Sequence, residues 1–295
     1  MLVNLSTILA PAVGSDYSVG CFNVFGWEDA QAVVNAAAED GAPVILGASA
    51  DFRKLMPIEV IASMLRAVAE SAPIPVCVHL DHTYNMAEVF RAVDAGFTSV
   101  MYDGSQLPLE ENIAGTRRVA QYAHAAGCSV EAEIGSVPYA EGRAHIKSAL
   151  TELKDAVRLA TESGLDAMAV SIGNVHRLKE PAAVIDFKRL EAIEAAVSVP
   201  LVIHGTSGIF ESDIARLART RRIAKFNIAT VLRQAFGRGL RETLAKHPER
   251  FDRVEIMGDV MPVMSSEASR MIRLLGWNRG RPSAGINLHR SAAAH

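Results

Sequence analysis

Eight short runs of β-branched and aliphatic residues recur along the chain, each followed by an amphipathic stretch. The runs are Ser18–Val24, Pro43–Ala48, Pro75–Leu80, Ser99–Asp103, Ser129–Ile134, Ala167–Ile172, Val199–His204 and Ala224–Ile228. They are nearly continuously apolar, with little alternation, which is how strands covered on both faces read, and such strands belong to parallel sheets. The stretches between them carry helix punctuation. Glu28–Glu39 opens on two acids, and Pro57–Ser71 places proline in its first turn and stops before Pro73. Met86–Ala95, Leu109–Ala126 and Leu153–Ser163 each run into a glycine, and Phe187–Ala196, Glu211–Thr220 and Ala229–Lys246 complete the set. Eight strand–helix units in 295 residues predict an α/β protein, a (β/α)8 TIM barrel forming a single domain over residues 1–276. A doubly wound open sheet is the competing arrangement, but no G-x-G-x-x-G follows the first strand. Residues 277–295, small and mildly basic, read as a flexible or oligomer-contacting tail.

Composition narrows the partners. Thirty Lys+Arg against thirty-three Asp+Glu give a net charge of −3, so the chain carries no field for polyanions and no nucleic-acid partner is expected. The apolar runs are strand-sized and soon meet a charge or glycine, so no membrane span is expected. The first residues lack a basic n-region, and Asn4, Ser6 and Thr7 break their apolar run, which argues against a secretory signal. Cys21, Cys77 and Cys128 are too few and too apolar in setting for a disulfide framework. These features together predict a cytoplasmic globular protein.

In a (β/α)8 barrel the chemistry gathers at the C-terminal ends of the strands. In chain order those ends carry Asn23, Ser49, His79 to His82, Asp103, Glu131 with Glu133, His176, His204 to Gly208, and Asn227 to Thr230. His82, His176 and His204 therefore meet on one rim among acids from other strands. Any one of them reads most simply as a rim histidine bonded to a carbonyl; three together suit a divalent metal, leaving a position open for substrate oxygen. His124, His145 and His247 fall in helix or loop and carry no such expectation, and His79 reads as a residue that orients a ligand. Asp81 is placed to move a proton on a metal-bound substrate, although alternation lets Asp81 and His82 both point inward only if the strand ends between them. Gly205–Gly208 and Asn227–Thr230 offer free backbone N–H groups ahead of helices, as barrel loops that hold phosphate do.

The segments His79-Leu80-Asp81-His82, Met101-Tyr102-Asp103-Gly104-Ser105 with Leu107-Pro108 and Glu111-Asn112-Ile113, Val130-Glu131-Ala132-Glu133-Ile134-Gly135, and His204-Gly205-Thr206-Ser207-Gly208 resemble the class II ketose-bisphosphate aldolases, in consistent order from Asn23 to about Gly276. The resemblance implies a carbon–carbon lyase that cleaves a phosphorylated ketose to dihydroxyacetone phosphate and an aldehyde through a zinc-stabilised enediolate. It implies His82, His176 and His204 as zinc ligands, and Asp103 and Glu133 as acidic ligands of a second, more buried metal position. Asp81 matches the proton donor. Gly205, Thr206, Ser207, Asn227, Ile228, Ala229 and Thr230 match the loops for dihydroxyacetone phosphate, and Asn23 and Ser49 match pocket-lining residues. Another divalent ion or an added monovalent cation is the alternative to zinc alone, and a homodimer or homotetramer is expected. Glu141 lies where the family carries a mobile acid-bearing loop and is the candidate second acid/base group, although the paired glycines usual there are missing.

The departures from the family cluster around the substrate. Phe25-Gly26-Trp27 stands where a polar Asn-Asn pair is usual, Arg177 replaces a glycine whose N–H would meet phosphate, and Thr206 replaces the second glycine of its motif. Alignment through Phe251-Asp252 and Gly258 puts Met261 where the arginine for a distal phosphate is expected, and Arg253 or Arg270 could stand in for it. These departures raise the alternative of a ketose 1-phosphate or another non-bisphosphate sugar, with Arg177 kept near the first phosphate. Two further readings compete: a Schiff-base aldolase using Lys225, and a non-catalytic sugar-phosphate-binding barrel, which a lost metal ligand would have favoured.

Overall fold

The computed structural model describes residues 1–140 and 148–278; Glu141, His145 and the tail from residue 279 onward lie outside the described residues. Its strands are β1 (Leu2–Val3), β2 (Val19–Asn23), β3 (Val44–Ala48), β4 (Val76–Thr83), β5 (Ser99–Tyr102), β6 (Ser129–Ile134), β7 (Ala167–Val170), β8 (Leu201–Ile203) and β9 (Ile223–Ile228). All pairings are parallel, and β2 through β9 close into an eight-stranded barrel, with β2 bonded to β9 and β4 to β5. The short β1 extends the start of β4, with Leu2 opposite Val76 and Val3 opposite Cys77.

The helices are α1 (Leu5–Leu9), α2 (Trp27–Asp40), α3 (Ala50–Leu55), α4 (Ile58–Ser71), α5 (Met86–Asp94), α6 (Leu109–Ala125), α7 (Leu153–Glu162), α8 (Phe187–Ala196), α9 (Glu211–Leu217), α10 (Thr230–Lys246) and α11 (Arg253–Leu274). The eight expected helices all form, within a few residues of their expected bounds. Gly41 and Gly96 close α2 and α5 in the left-handed region, at φ 66° and 93°. No helix among the described residues is long and apolar enough to cross a membrane.

Sequence periodicity leaves four elements unannounced: β1, α1, α3 and α11. The first three are too short to show a period. In α11, Gly258 and Pro262 interrupt the pattern, and the helix forms because tertiary packing outweighs their cost. Val260, Met264, Ala268 and Met271 are buried on its inner side, and Asp252 caps its start by accepting from Val254 N at 2.7 Å. Beyond α11, Trp277 packs edge-on against Tyr17 at 4.8 Å and donates Nε1–H to Asp40 O at 2.9 Å.

Inside the barrel, residues two apart on a strand share the inward face. His79 and Asp81, Glu131 and Glu133, and Lys225 and Asn227 all point there, forming a polar interior that is dry at its centre: His79, Glu131 and Lys225 have no exposed surface.

Candidate active site

Three histidines converge at the C-terminal mouth. His82 stands on β4, His176 follows β7 and His204 follows β8, and each offers a ring nitrogen within 4.8 Å of the others. His176 is fixed by its backbone, which bridges to the loop after β6: His176 N donates to Pro138 O at 2.7 Å and Ala140 N donates to His176 O at 3.0 Å. Tyr139 stacks on its ring at 4.6 Å.

The outer nitrogens of two of these rings meet carboxylates. His82 Nδ1 lies 2.8 Å from Asp103 Oδ2, and His204 Nε2 lies 2.8 Å from Glu131 Oε1. Each carboxylate takes an N–H and so turns the other nitrogen inward as a lone pair. Those inner nitrogens, His82 Nε2 and His204 Nδ1, face each other at 2.8 Å and must share a proton that a cation would replace. His176 Nε2 is buried with no partner among the described residues. These residues fit a divalent cation: they are imidazole nitrogen donors with oriented rings and one ring nitrogen left unspent. Burial opposes charge on His82, but Asp81 and Asp103 outweigh it and hold its pKa well above the ordinary histidine value. Burial and the charge on His82 hold His176 well below it.

Behind His82 lies a second group. His82, Asp103 and Glu133 also bring ligand atoms within 4.8 Å of one another. Glu133 Oε2 has no partner among the described residues, and burial together with the Asp103 charge pushes its pKa up to about 8.

Asp81 is held by two amides. Asn23 Nδ2 donates to its Oδ2 at 2.8 Å and Asn227 Nδ2 to its Oδ1 at 2.9 Å. Burial would raise its pKa, but neighbouring His82 first, then His204, His79 and Lys225, pull it far below the usual range, so the group is held as a carboxylate. Asp81 and His82 both face the site although β4 does not end between them; it runs on to Thr83. The register with β5 slips between Leu80 and Thr83, and His82 sits in the left-handed region at φ 36°. A bulge thus replaces the expected strand end.

Arg53 of α3 holds that bulge. Its guanidinium donates to the carbonyls of Ala48 (2.8 Å), Asp81 (2.8 Å) and His82 (3.0 Å), and to Thr83 Oγ1 at 3.1 Å, while its Nε pairs with Glu88 at 2.8 Å. Backbone strain of this kind persists only where the surroundings impose it.

Beneath the histidines, Glu131 joins the two halves of the site. Its Oε2 accepts from Lys225 Nζ at 2.8 Å, and Lys225 also donates to Asn227 Oδ1 at 2.5 Å. One continuous chain therefore runs from His204 through Glu131, Lys225 and Asn227 to Asp81. Burial disfavours charge on Lys225, yet Glu131 outweighs it and raises the pKa, so the ammonium is no free amine for imine formation. His79 is no metal ligand here: its Nδ1 lies 2.8 Å from Ser99 Oγ, and its Nε2 is 3.8 Å from Glu131.

The cleft above is lined by Asn23, Ser49, Asp81, His82, His176, Arg177, Gly205, Thr206, Ser207, Asn227, Ala229 and Thr230, all expected from sequence, and by Ala50, Asp51, Tyr139 and Arg233, which were not. Thr206 Oγ1 donates to Asn227 O at 2.8 Å, tying the two glycine- and threonine-bearing loops together.

Several expectations are corrected. Ile228 is buried in the barrel wall and does not line the cleft. Trp27 begins α2 half-exposed outside it, so it does not make the pocket apolar. Arg177, at φ 61°, lines the same cleft as the phosphate loops, and its guanidinium reaches Asp51 at 2.6 Å. Met261 lies in an outer groove with Asn35, Glu39 and Arg273. Arg253 pairs with Glu28, and Arg270 with Glu267 and Glu211, also outside the cleft. The cleft nevertheless holds two guanidiniums, Arg177 and Arg233, so a distal anion on the substrate does not depend on an arginine at position 261.

Comparison with known proteins agrees with this geometry. The chain is 36% identical over 261 residues to a fructose-bisphosphate aldolase of Geobacillus stearothermophilus, covering 87% of this chain and 91% of that one. It is 34% identical over 279 residues to a fructose-bisphosphate aldolase of Staphylococcus aureus, covering 93% and 97%. In structure it is similar to the YdjI aldolase of Escherichia coli K12, with a TM-score of 0.81, 30% identity and coverage of 94% and 98%. The profile described as "Fructose-bisphosphate aldolase class-II" matches residues 3–279. A chain matched over nearly its whole length, with a histidine cluster suited to a divalent ion, belongs to the class II fructose-bisphosphate aldolase family and is a metal-dependent carbon–carbon lyase acting on a sugar phosphate.

Proposed function

We propose that the chain cleaves a ketose bisphosphate of the fructose 1,6-bisphosphate kind to dihydroxyacetone phosphate and an aldehyde phosphate, with zinc as its ion, as a cytoplasmic homodimer or homotetramer. The observation that carries this reading is Asp81, ionised and held on both oxygens by Asn23 and Asn227, beside three convergent imidazoles. The names of the relatives support the substrate.

His82, His176 and His204 would hold a divalent cation, which when bound would supply Lewis acidity for the ketose carbonyl. Retro-aldol cleavage breaks the bond between C3 and C4, and the C4 hydroxyl must lose its proton as that bond breaks. Asp81 is the carboxylate placed to accept it, and the two asparagines keep it from rotating away. The backbone N–H groups of Gly205, Thr206 and Ser207, with Ala229 and Thr230 at the start of α10, bind the first phosphate. Asp103 and Glu131 fix the ring orientations, and Asp103 with Glu133 forms the second acidic position. Ser49 Oγ, buried with no partner among the described residues, is free to meet a substrate hydroxyl.

Chelation abolishes cleavage on this reading, added Zn²⁺ restores it, and borohydride with substrate leaves the enzyme active. Borohydride inactivation with an adduct on Lys225 would overturn it.

A further inference from the structure

The Arg177–Asp51 ion pair crosses the mouth of the barrel. Asp51 follows β3 and Arg177 follows β7, which stand four strands apart in a ring of eight, on opposite sides. Arg233 of α10 approaches the same Asp51 oxygen at 3.6 Å, and Lys54 approaches the other at 3.4 Å. Three cations thus surround one carboxylate. Asp29, whose charge also acts on Arg233, accepts from Phe25 N at 2.9 Å, which leaves two carboxylates against three cations. The cluster carries surplus positive charge and is centred on Asp51, which follows β3, two strands round the barrel from β9 and three from β8.

Both guanidiniums lie on aromatic faces, Arg233 over Phe25 at 4.3 Å and Arg177 over Tyr139 at 5.6 Å. Stacking engages the face of a guanidinium and leaves its N–H edge free, the edge that binds phosphate or carboxylate in bidentate fashion. Arg233 Nε is buried with no partner among the described residues, so one donor of that edge is unspent.

We propose that Arg177 and Arg233 form a second anion site that binds the terminal anionic group, phosphate or carboxylate, on the aldehyde half of the substrate, and that Asp51 occupies this site until substrate displaces it. The site rests on the aldolase reading above and deepens it: this chain's own residues select the far end of the ketose. Arg177 and Arg233 favour an anionic aldehyde, whereas Asp51 competes with it, so substitutions on the two sides change the selectivity in opposite directions.

The test is aldol condensation by the zinc-loaded full-length protein, with dihydroxyacetone phosphate and one of three aldehydes: glyceraldehyde 3-phosphate, succinic semialdehyde or uncharged glyceraldehyde. The readout is the ratio of kcat/KM for each charged aldehyde to that for glyceraldehyde. Wild type favours at least one charged aldehyde by about 10- to 100-fold, the worth of a charged hydrogen-bonded pair. Arg233→Gln brings that ratio toward one, and Asp51→Asn raises it. Whichever charged aldehyde depends more on Arg233 identifies the group. A ratio that is near one in wild type, or that Arg233→Gln leaves unchanged, overturns the site. Calorimetric titration with inorganic phosphate tests it apart from turnover: two phosphates bind per chain, and one in Arg233→Gln. Absence of condensation with every aldehyde would defeat the aldolase reading, while the phosphate count would still decide the site.

Discussion

Lys225→Met removes the ammonium beneath the metal site and changes little else, since methionine has nearly the same length. Lys225 and Glu131 are both without exposed surface and meet at 2.8 Å. Breaking such a pair leaves a carboxylate without its counter-charge in a dry interior, at a cost of about 3–5 kcal/mol. With an unfolding entropy of about 2.1 cal/mol/K per residue over 295 residues, 1 kcal/mol is worth about 1.6 °C, so Tm of the metal-stripped protein falls by about 5–8 °C. The loss extends to the metal, because Glu131 also holds His204 Nε2 at 2.8 Å. A Glu131 that takes up a proton to escape its burial no longer fixes that ring, and zinc affinity falls by roughly 10–100-fold.

A second substitution separates charge from packing. Glu131→Gln combined with Lys225→Met buries no charge, and the amide oxygen still accepts from His204. The double variant therefore recovers most of the lost Tm and part of the zinc affinity. Thermal unfolding of the stripped proteins and calorimetric titration with zinc measure both. A single variant with wild-type Tm and affinity would refute the claim that the ammonium holds Glu131 charged. A double variant as unstable as the single one would show that side-chain packing, not charge, was lost.

Asp81→Asn retains zinc but loses about 10²–10⁴-fold in kcat, as expected for a proton-transfer group, whereas His82→Ala loses metal and activity together; a metal-free Asp81→Asn protein would make Asp81 a ligand. Arg53→Lys keeps the charge, but one ammonium cannot reach the Ala48, Asp81 and His82 carbonyls at once, so zinc affinity falls by roughly 10–100-fold; unchanged affinity in a zinc titration would remove Arg53 from the site. Glu133, whose pKa is raised to about 8 by burial and Asp103, binds its proton more tightly folded than unfolded. Its contribution to the stability of the stripped protein is therefore full below about pH 4.5 and is lost as pH rises toward 8. Glu133→Gln raises Tm above pH 8 and leaves it nearly unchanged at pH 4; the same Tm gain at both pH values would disprove this.

What the sequence discloses is what the strands repeat. The barrel strands are mostly apolar runs with polar residues at or just beyond their C-terminal ends, so the eight strands and the rim on which His82, His176 and His204 meet follow from periodicity and strand order. What it conceals is pairing across strands. Glu131 and Lys225 are 94 residues apart, and nothing local to either marks it as the other's counter-ion. Lys225 alone suits a nucleophile; only the carboxylate 2.8 Å away turns it into a structural cation. Arg53 and Arg233 are hidden for a related reason: α3 is too short to show a period and α10 reads as barrel exterior, and only a long side chain brings each charge to the site. The same limit bears on the reading of the far end of the substrate. Met261 is apolar as read, but the relevant question was which cations other elements deliver to the mouth. The answer depends on the left-handed turn at Arg177 and on the first turn of α10, where Arg233 lies. A glycine replaced by arginine at a left-handed position keeps the backbone path, at some strain, and adds a charge that can cross the cleft. The pocket positions thus depart from the family's pattern, while the histidines and Asp81 beneath them keep it.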